Sequence, residues 1–280
     1  MKITALIENK ARQELAYEHG LAVHIEFEGN YYLLDTGASD QFVRNANCLN
    51  VDLSLVKAAF LSHSHYDHSG GYQGFFGVNS EAKVYLQEEA KESCYVKILL
   101  YKRYIGIPEN ILSSYKNRFV YINKNTEVAP GVWLIRHTTK GLDQIAKKAH
   151  FYREGKTGLK ADDLLHEQSL VFVKDQSVVI LNSCCHAGVD RVVEEVLEVF
   201  PGHQVLAMIG GFHLMGLRGP KSKSMSKAKI IALGQRLIDL GVKEIYTGHC
   251  TGDPAFEILH NQFTKQVHHF HAGDSIEIGS

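Results

Sequence analysis

The sequence predicts an α/β fold of four layers, in which two β-sheets pack face to face and helices cover both outer sides. Two observations predict it: the chain has two strand-rich halves, and stretches with helical spacing follow each of them. Of the 280 residues, 45% are hydrophobic and 22% are charged, which is typical of a globular protein with a large core. No repeat or linker divides residues 1–280, so we expect one domain.

The first half begins with strands. An apolar run at 3–7 is followed at 23–34 by alternating apolar and polar residues on either side of a Gly-Asn turn, which predicts a hairpin. A helical stretch at 39–47 and a short strand at 56–61 come next. Residues 88–118 are predicted to be largely helical.

A long segment without sustained periodicity separates the halves. After a predicted strand at 132–135, residues 139–166 mix lysines with glycine and aspartate. A loop this long in a compact domain is more often a lid or a binding loop than a simple connection. We therefore expect residues 139–166 to cover a binding site.

The second half repeats the order of strands followed by helices. A hairpin is predicted at 169–181, and an amphipathic helix at 188–200, where apolar residues recur at helical spacing. A buried strand at 205–209, a helix at 226–240 and a strand at 244–246 follow, and the last strand leads to Thr247-Gly248-His249-Cys250. This second group of strands and helices supplies the other two layers of the sandwich.

The net charge and the cysteine content limit the cellular compartment and the binding partners that we expect. The formal net charge of −1 predicts no general attraction to nucleic acid or membranes. The lysine-rich segment 139–166 nevertheless leaves nucleic-acid binding as an alternative. The N-terminus lacks a secretory signal, and no stretch approaches the roughly 20 apolar residues of a membrane span. The five cysteines are odd in number and irregularly spaced. We therefore expect a cytoplasmic protein with a small anionic substrate, and the sequence leaves a homo-oligomer open.

The segment 63–68, His-Ser-His-Tyr-Asp-His, carries the strongest chemical signal. His63 and His65 are two residues apart just after a strand, so their side chains can leave the backbone on one side and chelate one ion. Asp67 and His68 follow, placed to hold a second ion. A polar solvated loop is the alternative, but the next residues, Gly70-Gly71, also allow the backbone to fold tightly beneath a site.

These motifs resemble the metallo-β-lactamase superfamily, whose hallmark is His-x-His-x-Asp-His after a strand, with an earlier strand that ends in Asp-Thr-Gly. The chain has these motifs at 63–68 and 35–37. Segments 183–188, 210–214 and 248–252 are similar to a narrower branch, whose members are described as resembling dihydropteroate synthase or ribofuranosylaminobenzene 5'-phosphate synthase. The resemblance covers essentially the whole chain and implies the αββα fold of metal-dependent hydrolases.

The resemblance also implies a centre with two divalent metal ions. The implied ligands are His63, His65 and His186 for one ion, and Asp67, His68 and His249 for the other. Each ion keeps an open position for solvent. Imidazole and carboxylate ligands favour zinc, with manganese or iron as alternatives.

Two departures from the superfamily leave alternatives open. Because the chain has no Gly-His-x-x-Gly segment, His137 competes with His186 as a ligand. Cys184 stands near the position where a bridging aspartate is often found, and is either a thiolate ligand or a buried structural cysteine. Asp35 either holds a ligating imidazole in place or serves only to form a turn.

The predicted chemistry is hydrolysis by an activated water molecule. Two ions about 3.5–4 Å apart can share a water and lower its pKa to near 7, which generates hydroxide without a strong protein base. Asp67 is the predicted catalytic residue, because it can orient that water and carry a proton. His213, Arg218 and Lys221 are expected to bind a phosphate or carboxylate of the substrate.

The substrate predicted from the branch is a phosphate-bearing small molecule, pterin- or nucleotide-like, that undergoes hydrolysis or transfer. Other functions on the same fold remain as alternatives. A lactonase-type hydrolase would use the same metal pair. A redox protein would need a di-iron centre, and a non-catalytic module would bind a ligand in a metal-dependent way without turnover.

Overall fold

The computed structural model describes residues 1–12, 14–155, 158–216 and 219–279. Within them, the strands in chain order are β1 Lys2–Ile7, β2 Ala22–Phe27, β3 Asn30–Leu34, β4 Val56–Phe60, β5 Lys83–Gln87, β6 Ser93–Ile98, β7 Tyr101–Tyr104, β8 Phe119–Ile122, β9 Thr126–Ala129, β10 Val132–Arg136, β11 Phe151–Gly155, β12 Gly158–Ala161, β13 Gln168–Lys174, β14 Ser177–Leu181, β15 Gln204–Ile209, β16 Met215–Gly216, β17 Gly219–Lys223, β18 Glu244–Thr247, β19 Val267–His269 and β20 Ser275–Glu277. The α-helices are α1 Gln41–Cys48, α2 Tyr66–Ser69, α3 Tyr72–Val78, α4 Ile111–Ser114, α5 Leu142–Lys148, α6 Val189–Val199, α7 Lys227–Asp239 and α8 Asp253–Gln262. None of the helices in these ranges is long and apolar enough to cross a membrane.

The first large sheet has seven strands in the order β20-β1-β2-β3-β4-β5-β8. Strands β1, β2 and β3 are antiparallel, and β2 and β3 form the hairpin that the alternating sequence predicts. From β3 onward the strands β4, β5 and β8 run parallel. The carboxyl ends of these parallel strands share one edge, where ligand sites of α/β sheets commonly form.

The second large sheet also has seven strands, in the order β19-β18-β15-β14-β13-β10-β9. The β13–β14 hairpin is antiparallel, whereas β14, β15, β18 and β19 are parallel neighbours. This half therefore repeats the design of the first: a hairpin, then parallel strands with crossover helices. It places a second set of strand ends near the first.

Three apolar layers confirm the predicted αββα order. Ile25, Phe172 and Ile209 belong to the core between the two sheets, where the Phe27 and Phe172 rings approach to 5.0 Å between centroids. One outer layer packs α1 and α3 on the first sheet, and the other packs α6, α7 and α8 on the second. Each fully buried large aliphatic or aromatic side chain in these layers stabilises the fold by about 1.5–3 kcal/mol.

The prediction of a largely helical segment at 88–118 is wrong. This stretch contains β6 and β7, and only one turn of α-helix at Ile111–Ser114. Tyr95 and Val96 have the aromatic and β-branched side chains that strands favour, and β6 pairs with β11, a partner more than fifty residues away. A distant partner of this kind leaves no local periodicity to detect.

Residues 139–166 are more regular than the predicted loop. They contain α5, β11 and β12, and the two strands join β6 and β7 in a small sheet with the order β12-β11-β6-β7. Leu142, Ala146 and Leu164 bury their side chains with Ala187 in a separate small cluster. The helix and strands of this segment are too short for their periodicity to stand out in the sequence.

Candidate metal centre

The histidines of the candidate site lie just after the ends of three strands. His63 follows the end of β4, His186 follows β14 and His249 follows β18. All three side chains are buried, and they lie where the edges of the two large sheets meet. The fold therefore brings together residues that are separated by up to 186 positions in the sequence.

The first group consists of His63, His65 and His186. One possible ligand atom from each lies within 4.8 Å of the other two. The ring centroids of His63 are 4.5 Å from those of His65 and 4.7 Å from those of His186. This is the triad that the resemblance assigns to one ion, and the alternative residue His137 is not part of it.

Hydrogen bonds orient two of these rings. Nδ1 of His63 donates to Ser62 Oγ at 2.8 Å, and Nδ1 of His186 donates to Glu167 Oε2 at 2.7 Å. Both assignments leave Nε2 as the free, unprotonated nitrogen. A held Nδ1 and a free Nε2 is the usual arrangement of a histidine that ligates a metal.

Buried nitrogens without partners show that a cation fits here. Nε2 of His63 and Nε2 of His65 are buried and have no hydrogen-bond partner among the described residues. Burial, and then the neighbouring histidines, hold the pKa of both rings well below the usual value, so both are neutral. Unpaired buried polar atoms are costly in free energy. Neutral imidazole lone pairs that converge in this way are suited to a divalent cation.

The second group surrounds Asp67. Its Oδ2 lies 3.4 Å from Nε2 of His68 and 3.6 Å from Nε2 of His249. Burial opposes ionisation of Asp67, but the adjacent His68 and then His249 outweigh it and hold the pKa of the carboxyl well below its usual range. Burial also opposes protonation of His68, yet Asp67 and Asp35 raise the pKa of this ring to about 10. A bound cation would take the place of that proton.

His249 is held by the two residues that follow β1, Glu8 and Asn9. Its Nδ1 donates to Asn9 Oδ1 at 3.0 Å, and Asn9 Nδ2 donates to the His249 carbonyl at 3.3 Å. The backbone N–H of His249 donates to the buried carboxyl of Glu8. Nε2 of His249 is buried and has no hydrogen-bond partner in the described parts of the chain. The ring is thus held with its free nitrogen towards Asp67.

Asp35 connects both groups. Its carboxylate accepts hydrogen bonds from Ser62 N at 2.7 Å, from Ser183 Oγ at 2.6 Å and from His68 Nδ1 at 2.8 Å. Ser62 Oγ also donates to it at 2.6 Å and in turn accepts from His63. The side chain is completely buried and its φ is 58°, so the residue combines an unusual backbone conformation with four hydrogen bonds. These contacts fit a carboxylate that holds ligating imidazoles in place.

His137 does not join the cluster of candidate ligands but contacts a residue that holds one of them. Its Nδ1 lies 2.6 Å from Glu195 Oε2 and its Nε2 lies 2.8 Å from Glu167 Oε1, so both ring nitrogens are occupied. Burial opposes protonation, but the two carboxylates raise its pKa to about 9. A ring that donates from both nitrogens has no lone pair for a metal. His137 instead supports Glu167, which holds His186.

Cys184 lies between the two groups. Its Sγ is 3.4 Å from Nε2 of His68, and possible ligand atoms of Cys184, His63 and His68 lie within 4.8 Å of one another. The same is true of Cys184, His249 and Cys250. Burial raises the pKa of the Cys184 thiol well above its usual value, which favours a neutral, structural cysteine while no cation is bound.

Of the residues expected to bind substrate, the structure brings one to the cluster. The ring centroid of His213 is 4.6 Å from that of His186, and His213, which follows Gly210-Gly211-Phe212, adopts a positive φ of 50°. Lys221 is exposed on β17, and within the described part of the chain it makes no hydrogen bond or ion pair with the site. Arg218 lies outside the described residues.

Several residues of the site do not belong to any sequence motif. Glu167 and Asn9 hold His186 and His249, and Phe151 at the start of β11 places its ring 5.3 Å from His65 and 5.1 Å from His186. They come from three separate segments with no distinctive spacing. The one signal in the sequence is the length of the segment 139–166, which predicts that this segment covers the site. It does not identify Phe151 as the residue that contacts the histidines.

Comparisons with known proteins show what the chain is similar to in sequence and fold. The family model described as the metallo-β-lactamase superfamily matches residues 18–150. A 7,8-dihydropterin-6-methyl-4-(β-D-ribofuranosyl)-aminobenzene-5'-phosphate synthase of Methanocaldococcus jannaschii is 26% identical, and the match covers 99% of this chain and 96% of the relative. A crystal structure of a metal-dependent hydrolase of the β-lactamase superfamily is 28% identical, with a TM-score of 0.82 and 100% of both chains covered. Zinc-bound PqqB of Methylobacterium extorquens, at 12% identity, a TM-score of 0.59 and coverage of 99% and 100%, shares the fold alone.

Proposed function

We propose that this chain, whose residues 18–150 match the model of the metallo-β-lactamase superfamily, is a hydrolase that depends on two divalent metal ions, with zinc favoured over manganese or iron. The observation that carries the proposal is the convergence of His63, His65 and His186, with unpaired Nε2 atoms on the first two. Imidazole nitrogens and one carboxylate form a donor set that suits zinc.

The proposed ligand groups use the two clusters around this edge of the sheets. His63, His65 and His186 would hold the first ion, and Asp67, His68 and His249 the second. When bound, such a pair of ions supplies Lewis acidity and lowers the pKa of water at the site. Asp35, Glu167 and Asn9 fix the rings through Nδ1, so that little reorganisation is needed when the ions bind.

Asp67 is the proposed catalytic residue of the chain. Its side chain is 10% exposed, so Oδ2 can reach both the buried histidines and solvent at the mouth of the site. A carboxylate in this position can orient an attacking water molecule and accept its proton. Because nearby histidines keep Asp67 ionised, its carboxylate oxygens can accept a hydrogen bond from that water molecule at neutral pH.

The proposed substrate is a phosphate-bearing small molecule, pterin- or nucleotide-like. Support comes from the M. jannaschii relative, whose name contains both a pterin and a 5'-phosphate. The His213 ring lies beside His186, at a place where a substrate anion could contact it. Lys221 and Arg218 stay proposed contacts for the same anion.

The segment 139–166 is proposed to cover the substrate. Phe151 contacts three histidines of the site, with its ring 5.3 Å from that of His213 as well. An apolar ring in this position excludes water from one side of the cluster, which strengthens electrostatic interactions inside. This role fits a lid built from a helix and a hairpin rather than from an irregular loop.

Group transfer is the second candidate, because the M. jannaschii relative is named a synthase and aligns over 99% of this chain. In a transfer reaction the same side chains would hold the phosphate-bearing substrate, and a second organic molecule would replace water as the attacking group. Release of inorganic phosphate or of an alcohol from a single substrate separates hydrolysis from transfer, since a transferase requires both substrates for turnover.

The test measures turnover of protein loaded with zinc or manganese. The substrates are 4-nitrophenyl phosphate, bis(4-nitrophenyl) phosphate and a γ-lactone, and the variants are His65→Ala and the control His268→Ala. His268 is half-exposed and paired with Glu244, away from the histidine cluster. We expect phosphoester turnover that His65→Ala abolishes and His268→Ala retains. Turnover of the lactone alone would favour the lactonase alternative, and turnover that survives His65→Ala would exclude this site.

A further inference from the structure

A third imidazole approaches Asp67 from the solvent side. Nε2 of His19 lies 3.3 Å from Asp67 Oδ2, and the His19 ring stacks on His249 with the centroids 4.9 Å apart. Possible ligand atoms of His19, Asp67 and His249 lie within 4.8 Å of one another. The His19 side chain is 46% exposed, whereas that of His249 is 1% exposed. His19 is therefore the outermost member of this group.

The distances around Asp67 have the size expected between ligands of one ion. Ligands at the usual zinc distances of 2.0–2.2 Å are about 3.4 Å apart along the edges of a tetrahedron. Three nitrogens lie near that distance from Asp67 Oδ2: Nε2 of His19 at 3.3 Å, of His68 at 3.4 Å and of His249 at 3.6 Å. The buried Nε2 of His249 has no hydrogen-bond partner among the described residues, and this free nitrogen independently indicates that a cation fits here.

The backbone on both sides of His19 is held against the site. Leu21 N donates to the Asp67 carbonyl at 3.3 Å, and a Cβ on Gly20 would lie 2.6 Å from the same oxygen. On the other side, the Glu18 carboxylate accepts hydrogen bonds from the backbone of the loop that follows β3. These contacts fix the position of the His19 Cα beside Asp67, while its ring stays open to solvent.

We propose that His19 is a fourth protein ligand of the second metal ion, an inference that rests on the two-metal centre proposed above. Together with Asp67, His68 and His249 it would close the coordination sphere on the solvent side, as four protein ligands do in closed zinc sites. The His19 ring is 46% exposed and is held by its approach to Asp67 and its stack on His249, so an anionic substrate can reach and displace it. His19 thus keeps the second ion bound between turnovers.

The test compares metal binding in four proteins: wild type, His19→Ala, His19→Phe and the control His268→Ala. Zinc affinity is measured for each equivalent by competition with a chromophoric chelator, and the visible spectrum of the cobalt-loaded protein reports the ligand set. The phenyl ring of His19→Phe can keep the stack on His249 but offers no nitrogen. We expect both His19 variants to bind the second equivalent at least about tenfold more weakly, with an altered cobalt spectrum. The first equivalent and the control should match wild type.

Wild-type affinity for the second equivalent in both His19 variants would overturn the proposal. A loss confined to His19→Ala would overturn it too, because it would show that the ring matters only for stacking. Melting temperatures of the metal-free proteins exclude misfolding as the cause of a loss. A wild-type protein that binds fewer than two zinc ions would instead contradict the proposed two-metal centre, so the two failures are distinguishable.

Discussion

Asp35 Oδ2 lies 2.8 Å from Nδ1 of His68, and both side chains are completely buried. The same carboxylate accepts hydrogen bonds from Ser62 and Ser183, which lie after β4 and β14. Because Nδ1 of His68 is held, its Nε2 is directed at Asp67. One carboxylate after β3 therefore joins both large sheets and orients a ligand of the second group.

Replacing Asp35 with Asn should weaken binding of the second metal ion. Asn tolerates the positive φ of this position, so the change isolates the carboxylate, but its amide nitrogen cannot accept the hydrogen bonds that Asp35 receives. We expect about a 10–100-fold lower affinity for zinc in a chelator competition. Asp52→Asn is the control, since Asp52 is exposed and its carboxylate bonds Ser54. An Asp35→Asn protein with wild-type affinity would show that the carboxylate does not orient a ligand.

Replacing Glu167 with Gln should weaken both the first metal site and the fold. The Glu167 carboxylate is fully buried, and it accepts a hydrogen bond from His137 at one oxygen and from His186 at the other. Gln keeps only one of these oxygens, and its amide nitrogen cannot accept a hydrogen bond. Removing one partner of a buried ion pair typically costs about 3–5 kcal/mol of unfolding free energy. Urea unfolding of the metal-free protein measures this loss. Glu154→Gln, which breaks an exposed pair with Lys102, should cost about 0–1 kcal/mol; equal losses in the two variants would contradict the role of Glu167.

Two glycine substitutions should have opposite effects. A Cβ on Gly70 would collide with the Ala38 carbonyl group beneath the histidine segment, so Gly70→Ala should destabilise the protein and reduce its metal content. A Cβ on Gly77 in α3 would meet no atom within 4 Å, and alanine favours a helix by about 1 kcal/mol over glycine. Gly77→Ala should therefore raise the melting temperature. If Gly70→Ala were as stable as Gly77→Ala, the close packing beneath the site would be refuted.

Acid should destabilise the protein partly through His24. Burial, with a smaller effect of Lys2, lowers the pKa of this ring to about 4 from 6.5, and its buried Nδ1 has no described hydrogen-bond partner. The unfolded chain binds a proton below pH 6.5 that the folded protein does not bind until about pH 4. Stability is therefore lost as pH falls through this window, by up to about 3 kcal/mol.

His24→Leu removes the titrating ring and so tests this loss. The difference in unfolding free energy between variant and wild type should be constant above pH 7 and should shift in favour of the variant between pH 6.5 and 4. Urea unfolding at a series of pH values measures it. A difference that does not change with pH would show that folding does not lower the pKa of His24.

The sequence predicted the αββα order because both halves contain hairpins and amphipathic helices with strong local periodicity. The helix predicted at 188–200 is α6, Val189–Val199, and the hairpin predicted at 169–181 is β13 and β14. In contrast, the small sheet of β6, β7, β11 and β12 was missed, since it joins two distant segments by strand pairing that local patterns do not report.

The candidate ligands in 63–68 could be predicted because they are adjacent in the chain and share one spacing rule. Glu167, Asn9 and His19 could not, since each reaches the site from a separate segment and belongs to a common residue type without a motif. His137 shows that the sequence can also indicate a ligand where there is none. Its position after a strand is typical of a ligand, but both of its ring nitrogens bond buried carboxylates. Only three-dimensional contacts distinguish a ligand from the residue that supports it.

Anomalous X-ray diffraction from crystals of the zinc-loaded protein tests the central claim most directly, because it locates each ion independently of activity. The account predicts two zinc peaks, one among His63, His65 and His186 and one beside Asp67 Oδ2. A protein that binds zinc elsewhere, or that shows no peak at either cluster with zinc in excess, would contradict it.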